Sequence, residues 1–125
     1  MGTIGRSLPH DSARGHVAGS AHYIEDLPAA VGELWVTLVG APVAAGRIRA
    51  IHVERAVATP GVVAAYTHHD LPGHNVFGPI IPDEPFLASE RVSYLGQPVV
   101  AIAAESRRAA RTAAKLVAIE CDAEA

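Results

Sequence analysis

Imidazole and carboxylate groups are concentrated at one point of the sequence, in the run His68-His69-Asp70, with His74 following shortly after. Both groups are common ligands of divalent metals. However, adjacent histidines point in opposite directions in an extended chain, and the run lacks the i, i+4 histidine pair of a metal-binding helix. A solvent-exposed turn leading into Leu71-Pro72-Gly73 is therefore the favoured interpretation, and a metal site is the minor alternative.

Two other groups of polar side chains are weaker candidates. His10, His16 and His22 recur every six residues, a spacing that puts them on no single helix face. Asp83-Glu84 is a carboxylate pair, but it stands between two prolines in a turn where such groups are usually solvated, and acid–base work would need their pKa values pushed apart. The sequence therefore assigns no catalytic, cofactor-binding or metal-binding residue to this chain.

Composition limits the classes of protein that the chain can belong to. It has 125 residues, of which 50% are hydrophobic and 18% charged, which excludes an intrinsically disordered chain. The net charge of −3 argues against a nucleic-acid partner, and no apolar run approaches a membrane span. The single cysteine, Cys121, excludes an internal disulfide framework and is expected to be a buried structural thiol. We expect one domain over residues 1–125, located in the cytoplasm because no apolar leader is visible.

The elements that would position these side chains follow from hydrophobic periodicity. Residues 1–32 are loop-like, and residues 68–90 form a long Pro-rich loop of a length that is usually functional or docked on a partner. Segment 99–104 is apolar at both its odd and its even positions, as in a central strand that is covered on both faces. Alternation fails within 47–53, and a bulge near Ala50 would restore it. The predicted strands are 33–39, 47–53, 62–67, 91–95, 99–104 and 117–121, with a short helical turn at 54–59.

A helix over 106–116 is the clearest prediction, with Ser106 as its N-cap. Its apolar stripe comprises Ala109, Ala110, Ala113, Leu116 and Val117, and its polar face comprises Arg107, Arg108, Arg111, Thr112 and Lys115. Arg107 and Arg108 oppose the helix dipole in the first turn. Strand, helix and strand in succession predict a crossover with two parallel strands in one sheet. The fold class is therefore α+β, with a mixed sheet and a C-terminal strand–helix–strand unit.

The run Gly96-Gln97-Pro98 between two predicted strands has two interpretations. The favoured one is a tight connection, in which Gly96 adopts a positive φ and Pro98 fixes the exit of the chain. The alternative is that Gln97 directs its amide at a neighbouring domain, near an active site that this chain does not hold.

Ordered segments along nearly the whole chain resemble the aldehyde oxidase/xanthine dehydrogenase α/β hammerhead domain. The similarity is strongest to the N-terminal part of the molybdopterin-binding subunit of bacterial xanthine dehydrogenases. The segments that carry it are Gly5-Arg6-Ser7-Leu8-Pro9-His10-Asp11-Ser12-Ala13, Tyr23-Ile24-Glu25-Asp26-Leu27-Pro28, Pro60-Gly61-Val62-Val63-Ala64, Asp70-Leu71-Pro72-Gly73-His74-Asn75, Asp83-Glu84-Pro85, Val92-Ser93-Tyr94-Leu95-Gly96-Gln97-Pro98-Val99-Val100 and Leu116-Val117-Ala118-Ile119-Glu120.

The resemblance implies a domain that is inactive by itself, within an enzyme that hydroxylates purines or aldehydes with water as the oxygen source. Molybdopterin, FAD and 2Fe-2S centres would lie on other domains or subunits, which would be its partners. Phe77 and Phe86 in the Pro-rich loop would then pack on those domains, and they would be exposed, with Ile80 and Ile81, in the chain alone. A stand-alone protein-interaction module and a fragment of an aldehyde oxidase-type subunit are the alternatives.

Overall fold

The structure is a computed structural model that describes residues 4–124, and it divides into two units, one ending at Val31 and one beginning at Gly32. The first unit contains a short helix, α1 (Ala13–Ala18), and a 3-10 turn at Ile24–Asp26. The loop-like prediction for 1–32 missed α1, because the helix buries no residue and therefore leaves no apolar period in the sequence. A single domain over 1–125 stays a prediction.

Within residues 32–124, the second unit holds six strands in two antiparallel sheets. The first sheet has the strand order β1-β5-β3, and the second has the order β4-β2-β6. In chain order the elements are β1 (Trp35–Gly40), β2 (Gly46–His52), α2 (Glu54–Val57), β3 (Val62–Tyr66), a 3-10 turn (His68–Asp70), β4 (Arg91–Val92), β5 (Pro98–Ala104), α3 (Arg107–Ala114) and β6 (Ala118–Ala123).

The core lies around β5, the central strand of the first sheet. Its side chains Val99, Val100 and Ile102 are fully buried, which confirms the prediction of a strand covered on both faces. Partly buried side chains from both sheets pack against this cluster, among them Val39 of β1 and Ile48 of β2. Burial of apolar surface around β5 is therefore what holds the second unit together.

Helix α3 packs on all three strands of the first sheet. The Ser106 hydroxyl accepts a hydrogen bond from Ala109 N at 3.2 Å, which confirms Ser106 as the N-cap. Ala110 and Ala113 are fully buried, as the predicted apolar stripe requires. The helix ends at Ala114, two residues before the predicted end.

The α+β class is confirmed, but the expected pair of parallel strands is wrong. All strand pairs among the described residues are antiparallel. Because β5 already has β1 and β3 as neighbours, it offers no edge to a returning strand. Helix α3 therefore carries the chain to the second sheet, where β6 pairs with β2.

Two local features refine the predicted strands. The register of β2 against β6 shifts between Ile48 and Ala50, which confirms the bulge. Strand β4 stops at Val92 instead of residue 95, because Ser93 N donates to the Gln97 side chain and not to a neighbouring strand. No helix within residues 4–124 is long and apolar enough to cross a membrane.

Candidate docking surface

The segment between β3 and β4 ends in a small hairpin. Phe77 N donates to Glu84 O at 2.8 Å, and Glu84 N donates to Phe77 O at 3.2 Å. At Gly78 an added Cβ would stand 1.9 Å from Ile81 O, so a larger residue would displace the backbone. We call residues 75–87 the apolar hairpin.

The side chain of Asn75 ties the two ends of the apolar hairpin together. Its Nδ2 donates to Leu87 O at 2.6 Å, and its Oδ1 accepts from Leu87 N at 3.0 Å, as a neighbouring strand would. Leu87 and Ala88 are buried, and Ala88 N donates to Pro98 O of β5 at 2.7 Å. Sequence reasoning did not single out Asn75; the signal was an asparagine next to a glycine turn, a residue that often bonds to nearby backbone.

The tip of the apolar hairpin presents its side chains to solvent. The Phe77 and Phe86 rings stack with their centroids 4.9 Å apart, yet both remain about half exposed. Ile80 is 90% exposed and Ile81 is 65% exposed, which confirms that these apolar groups are exposed in the chain alone. Large contiguous patches of exposed apolar side chains are typical of interaction surfaces, which makes this tip a candidate docking surface. The packing of Phe77 and Phe86 on other domains stays a prediction.

A second apolar surface lies on the first sheet. The register pairs Leu38 with Ala101 and Ala101 with Tyr66, so these side chains point to one face, with Val36 two residues from Leu38. Val36, Leu38 and Tyr66 are all exposed, and we call them the outer sheet face. Helix α3 covers the opposite face, where Arg107 lies 6.0 Å from the Trp35 ring centroid. On this outer face the side chains of the edge strands β1 and β3 therefore remain exposed within the described part of the second unit, although the central strand β5 is largely buried.

The Gly96-Gln97-Pro98 run is held by the chain's own hydrogen bonds. Gly96 has φ of +83° and its N donates to Ala41 O at 3.0 Å, while Ala41 N donates to Gln97 O at 2.8 Å. The Gln97 side chain is 5% exposed, and its Oε1 accepts from Ser93 N at 2.7 Å. The tight-connection interpretation accounts for all of these contacts. A role of Gly96, Gln97 and Pro98 toward other domains stays a prediction.

The His68-His69-Asp70 run forms a capped 3-10 turn. Asp70 Oδ2 accepts from Thr67 N at 2.7 Å and from Thr67 Oγ1 at 2.9 Å, and these hydrogen bonds lower the pKa of Asp70. The two imidazole centroids lie 3.8 Å apart, and His68 Nδ1 is buried without a hydrogen-bond partner among the described residues. Burial of the ring lowers the pKa of His68. The spacing Thr67-x-x-Asp70 was the sequence signal for this cap.

The other predicted polar groups are not brought together into a reactive cluster. In the first unit, the His10 and His16 rings are 6.4 Å apart, and Tyr23 Oη lies 3.5 Å from His16 Nδ1. Asp83 and Glu84 are both exposed on the apolar hairpin. Throughout residues 4–124, no three His, Cys, Asp or Glu side chains are arranged to hold a metal ion.

Cys121 lies on β6, opposite Ile48 of β2. Its side chain is half-buried, so the expectation of a buried thiol is only partly met, because β6 is an edge strand with one neighbour. Burial raises the pKa of the Cys121 thiol, which disfavours the reactive thiolate form.

The known proteins that are similar to this chain point to one family. The profile of the family described as "Aldehyde oxidase and xanthine dehydrogenase, a/b hammerhead domain" matches residues 18–125. Xanthine dehydrogenase 1 of Arabidopsis thaliana is 36% identical over 112 residues, which cover 90% of this chain and 8% of that protein. A probable xanthine dehydrogenase component of Bacillus subtilis is 36% identical over 107 residues, covering 86% of this chain and 14% of that protein.

Solved structures show the same similarity. The aldehyde oxidoreductase from Desulfovibrio gigas superimposes with a TM-score of 0.79 and 30% identity, covering 91% of this chain and 14% of that chain. The chain thus spans a small fraction of the length of each of these proteins.

Proposed function

Because the chain belongs to the aldehyde oxidase and xanthine dehydrogenase a/b hammerhead family, we propose that it is the hammerhead domain of a cytoplasmic molybdenum hydroxylase that oxidises purines with water as the oxygen source. Its own role is structural: it packs against the molybdopterin-binding domains and near the FAD and iron–sulfur parts of the enzyme. We assign no reaction step to this chain.

The observation that carries the packing role is the contrast within the apolar hairpin. Its backbone is held by the hydrogen bonds of the Phe77–Glu84 pair and of the Asn75 side chain to Leu87. Its tip nevertheless leaves Ile80 and Ile81 largely in solvent. A loop whose backbone is already hydrogen-bonded and whose tip is apolar suits docking, because less entropy is lost when a partner covers it than for an unstructured loop.

The experiment pairs this chain with the molybdopterin-binding polypeptide of the same organism, expressed as a separate protein and called the companion polypeptide below. We expect a stable complex that contains molybdenum and oxidises xanthine, and a chain that by itself neither contains molybdenum nor turns over xanthine. Turnover by the lone chain, or the failure of the two to associate, would contradict the proposed function.

A matched pair of variants ties association to the apolar hairpin. Ile80→Asp should weaken association with the companion polypeptide by about tenfold or more while leaving the Tm of the lone chain unchanged, because Ile80 contacts solvent there. Val17→Asp is the control, since Val17 is also 90% exposed but lies outside the apolar hairpin, on α1. Equal effects of the two variants would show that the hairpin tip is not the docking point.

Two alternatives have distinct outcomes in the same assay. A complex that oxidises aldehydes but not purines would assign the chain to the aldehyde oxidase branch. Association with proteins that contain no molybdenum, in place of the companion polypeptide, would support a stand-alone interaction module.

A further inference from the structure

Four cations occupy the solvent side of α3: Arg107, Arg108, Arg111 and Lys115, which we call the cationic face. All four are exposed. The ion pairs formed within residues 4–124 join other residues, on β2, β4 and the C-terminal segment, and none includes a cation of this face. The acidic residue nearest in sequence, Glu105, makes no ion pair with the described residues either. The chain as a whole carries 10 Lys and Arg against 13 Asp and Glu, so this cluster stands out against an acidic background.

This arrangement is unfavourable for the helix itself. Arg107 and Arg108 lie in the first turn, where no acidic residue is present, and cations there oppose the helix dipole. Arg107 with Arg111, and Arg111 with Lys115, are like-charged pairs at i, i+4, which repel each other. The cation–π contact of Arg107 with Trp35 fixes one of the four side chains over the sheet but does not neutralise it. No ion pair within the described part of the second unit offsets these repulsions.

The geometry of the face selects the class of ligand. The four cations span more than two helical turns and, with Thr112, line a wide depression that is open to solvent, so an extended partner surface can reach all of them. The Ser106 hydroxyl already takes the Ala109 N–H, so the first turn does not present a free set of amides to an anion. A net charge of −3 disfavours nucleic acid. Arginine forks match carboxylates arranged along a protein surface.

We propose that the cationic face binds a carboxylate-rich surface of the companion polypeptide, at a place separate from the contact made by the apolar hairpin. This inference rests on the proposed function, because it names a second contact within the same complex. Charges of opposite sign on the two partners would speed their encounter and set their orientation, while the hairpin supplies apolar contact.

The test reverses two charges on the face and two elsewhere. Arg108→Glu/Arg111→Glu changes the cationic face, and Arg6→Glu/Arg14→Glu makes the same change in net charge on exposed residues outside α3. For each protein the Kd with the companion polypeptide is measured at low and at high salt. We expect the face variant to bind about tenfold or more weakly at low salt and to lose most of its salt dependence, with the control close to wild type.

Each other outcome has a definite meaning. If wild-type chain and companion polypeptide form a complex whose Kd and salt dependence are unchanged in the face variant, the proposed function stands and this inference is wrong. If no complex forms with wild type, both are wrong. Binding of a DNA oligonucleotide that is lost in the face variant would replace the carboxylate surface with nucleic acid and also overturn the inference.

A stability measurement separates binding from a role in folding. Arg108→Glu places an acidic residue in the first turn, which favours the helix, so the Tm of the lone chain should rise by a few degrees while association weakens. A fall in Tm would mean that Arg108 stabilises its own helix, and the inference would lose its basis.

Discussion

The β5–α3 region and the apolar hairpin both pair their backbone groups, but they differ in how much of their apolar side-chain surface is buried. Around β5, backbone groups are paired in the sheet, and the apolar side chains Val99, Val100 and Ile102 are out of water. In the apolar hairpin the backbone is also paired, through Phe77 and Glu84, but the side chains at its tip remain in water. Backbone order is therefore present in both regions, whereas apolar burial is complete in only one.

The difference teaches where stability and association reside. Removing apolar surface from water is the main favourable term in folding, so changes near β5 should be felt by the whole second unit. The tip of the hairpin contributes little to the chain alone and has its apolar surface available for a partner. Substitutions near β5 should therefore have large effects on stability, whereas substitutions at the hairpin tip should have small effects on stability and larger effects on association.

The largest effect is expected from Ala113→Asp in the core. Ala113 is fully buried in the cluster that includes Val100 and Ile102, so the substitution buries an unpaired carboxylate. Such a charge costs about 3–5 kcal/mol, a large part of the stability of a small domain. Thermal denaturation followed by circular dichroism should show an unfolded or barely folded chain. Thr112→Asp, on the exposed side of the same helix, is the control. Equal losses of thermal stability in the two variants would mean that Ala113 does not lie on the face of α3 that packs on the sheet.

A smaller and more local effect is expected from Gly78→Ala in the apolar hairpin. The new Cβ would meet Ile81 O at 1.9 Å, so the turn must open. Strain of this kind costs about 1–3 kcal/mol, and it should be confined to the hairpin because the tip is exposed. Limited proteolysis should cut residues 78–84 faster while the overall Tm changes little. Ile80→Ala is the matched control, and a large loss of Tm in Gly78→Ala would show that hairpin and core unfold together.

A comparable or smaller effect is expected from Asn75→Ala, at the junction of the two regions. The substitution removes both side-chain hydrogen bonds to Leu87, whose backbone leads directly into the core through Ala88. Loss of these bonds costs about 1–3 kcal/mol. Amide hydrogen exchange should be faster at Leu87, and Tm should fall modestly. His74→Ala next to it removes an exposed side chain and should change neither quantity.

The sequence predicted those parts of the molecule that leave a periodic pattern. The two-sided apolar run at 99–104, the stripe of α3 with Ser106, and the broken alternation near Ala50 each reflect a local rule, and each is present in the structure. The pairing of β6 could not be read in the same way. Whether a strand after a helix returns to the same sheet depends on whether β5 still has a free edge, which is a property of the whole topology.

The candidate site shows the same division. Exposure of Phe77 and Ile80 followed from their place in a Pro-rich loop, but their hairpin pairing depends on contacts across that loop. Asn75 was missed because its partner, Leu87, lies 12 residues away and only the folded loop brings them together. Long-range side-chain-to-backbone bonds of this kind have no period and no fixed spacing.

The smallest effect is expected at His68, a partly buried polar residue at the start of the Pro-rich segment 68–90. Burial of the ring lowers the pKa of His68 in the folded chain, with the His69 charge acting in the same direction and Asp70 and Glu90 opposing it. The unfolded chain, with a histidine pKa of about 6.5, therefore binds the proton more readily.

The associated stability is complete above that unfolded value and is lost as the pH falls toward the folded one. Between about pH 7.5 and 5.5 the Tm of wild type should fall slightly more than that of His68→Gln. His69→Gln, which keeps the buried His68 ring, should retain most of the wild-type slope. Identical slopes of Tm against pH in wild type and His68→Gln would mean that the His68 ring is as well solvated as the hairpin tip. The contrast between buried and exposed regions would then not include the start of the segment 68–90.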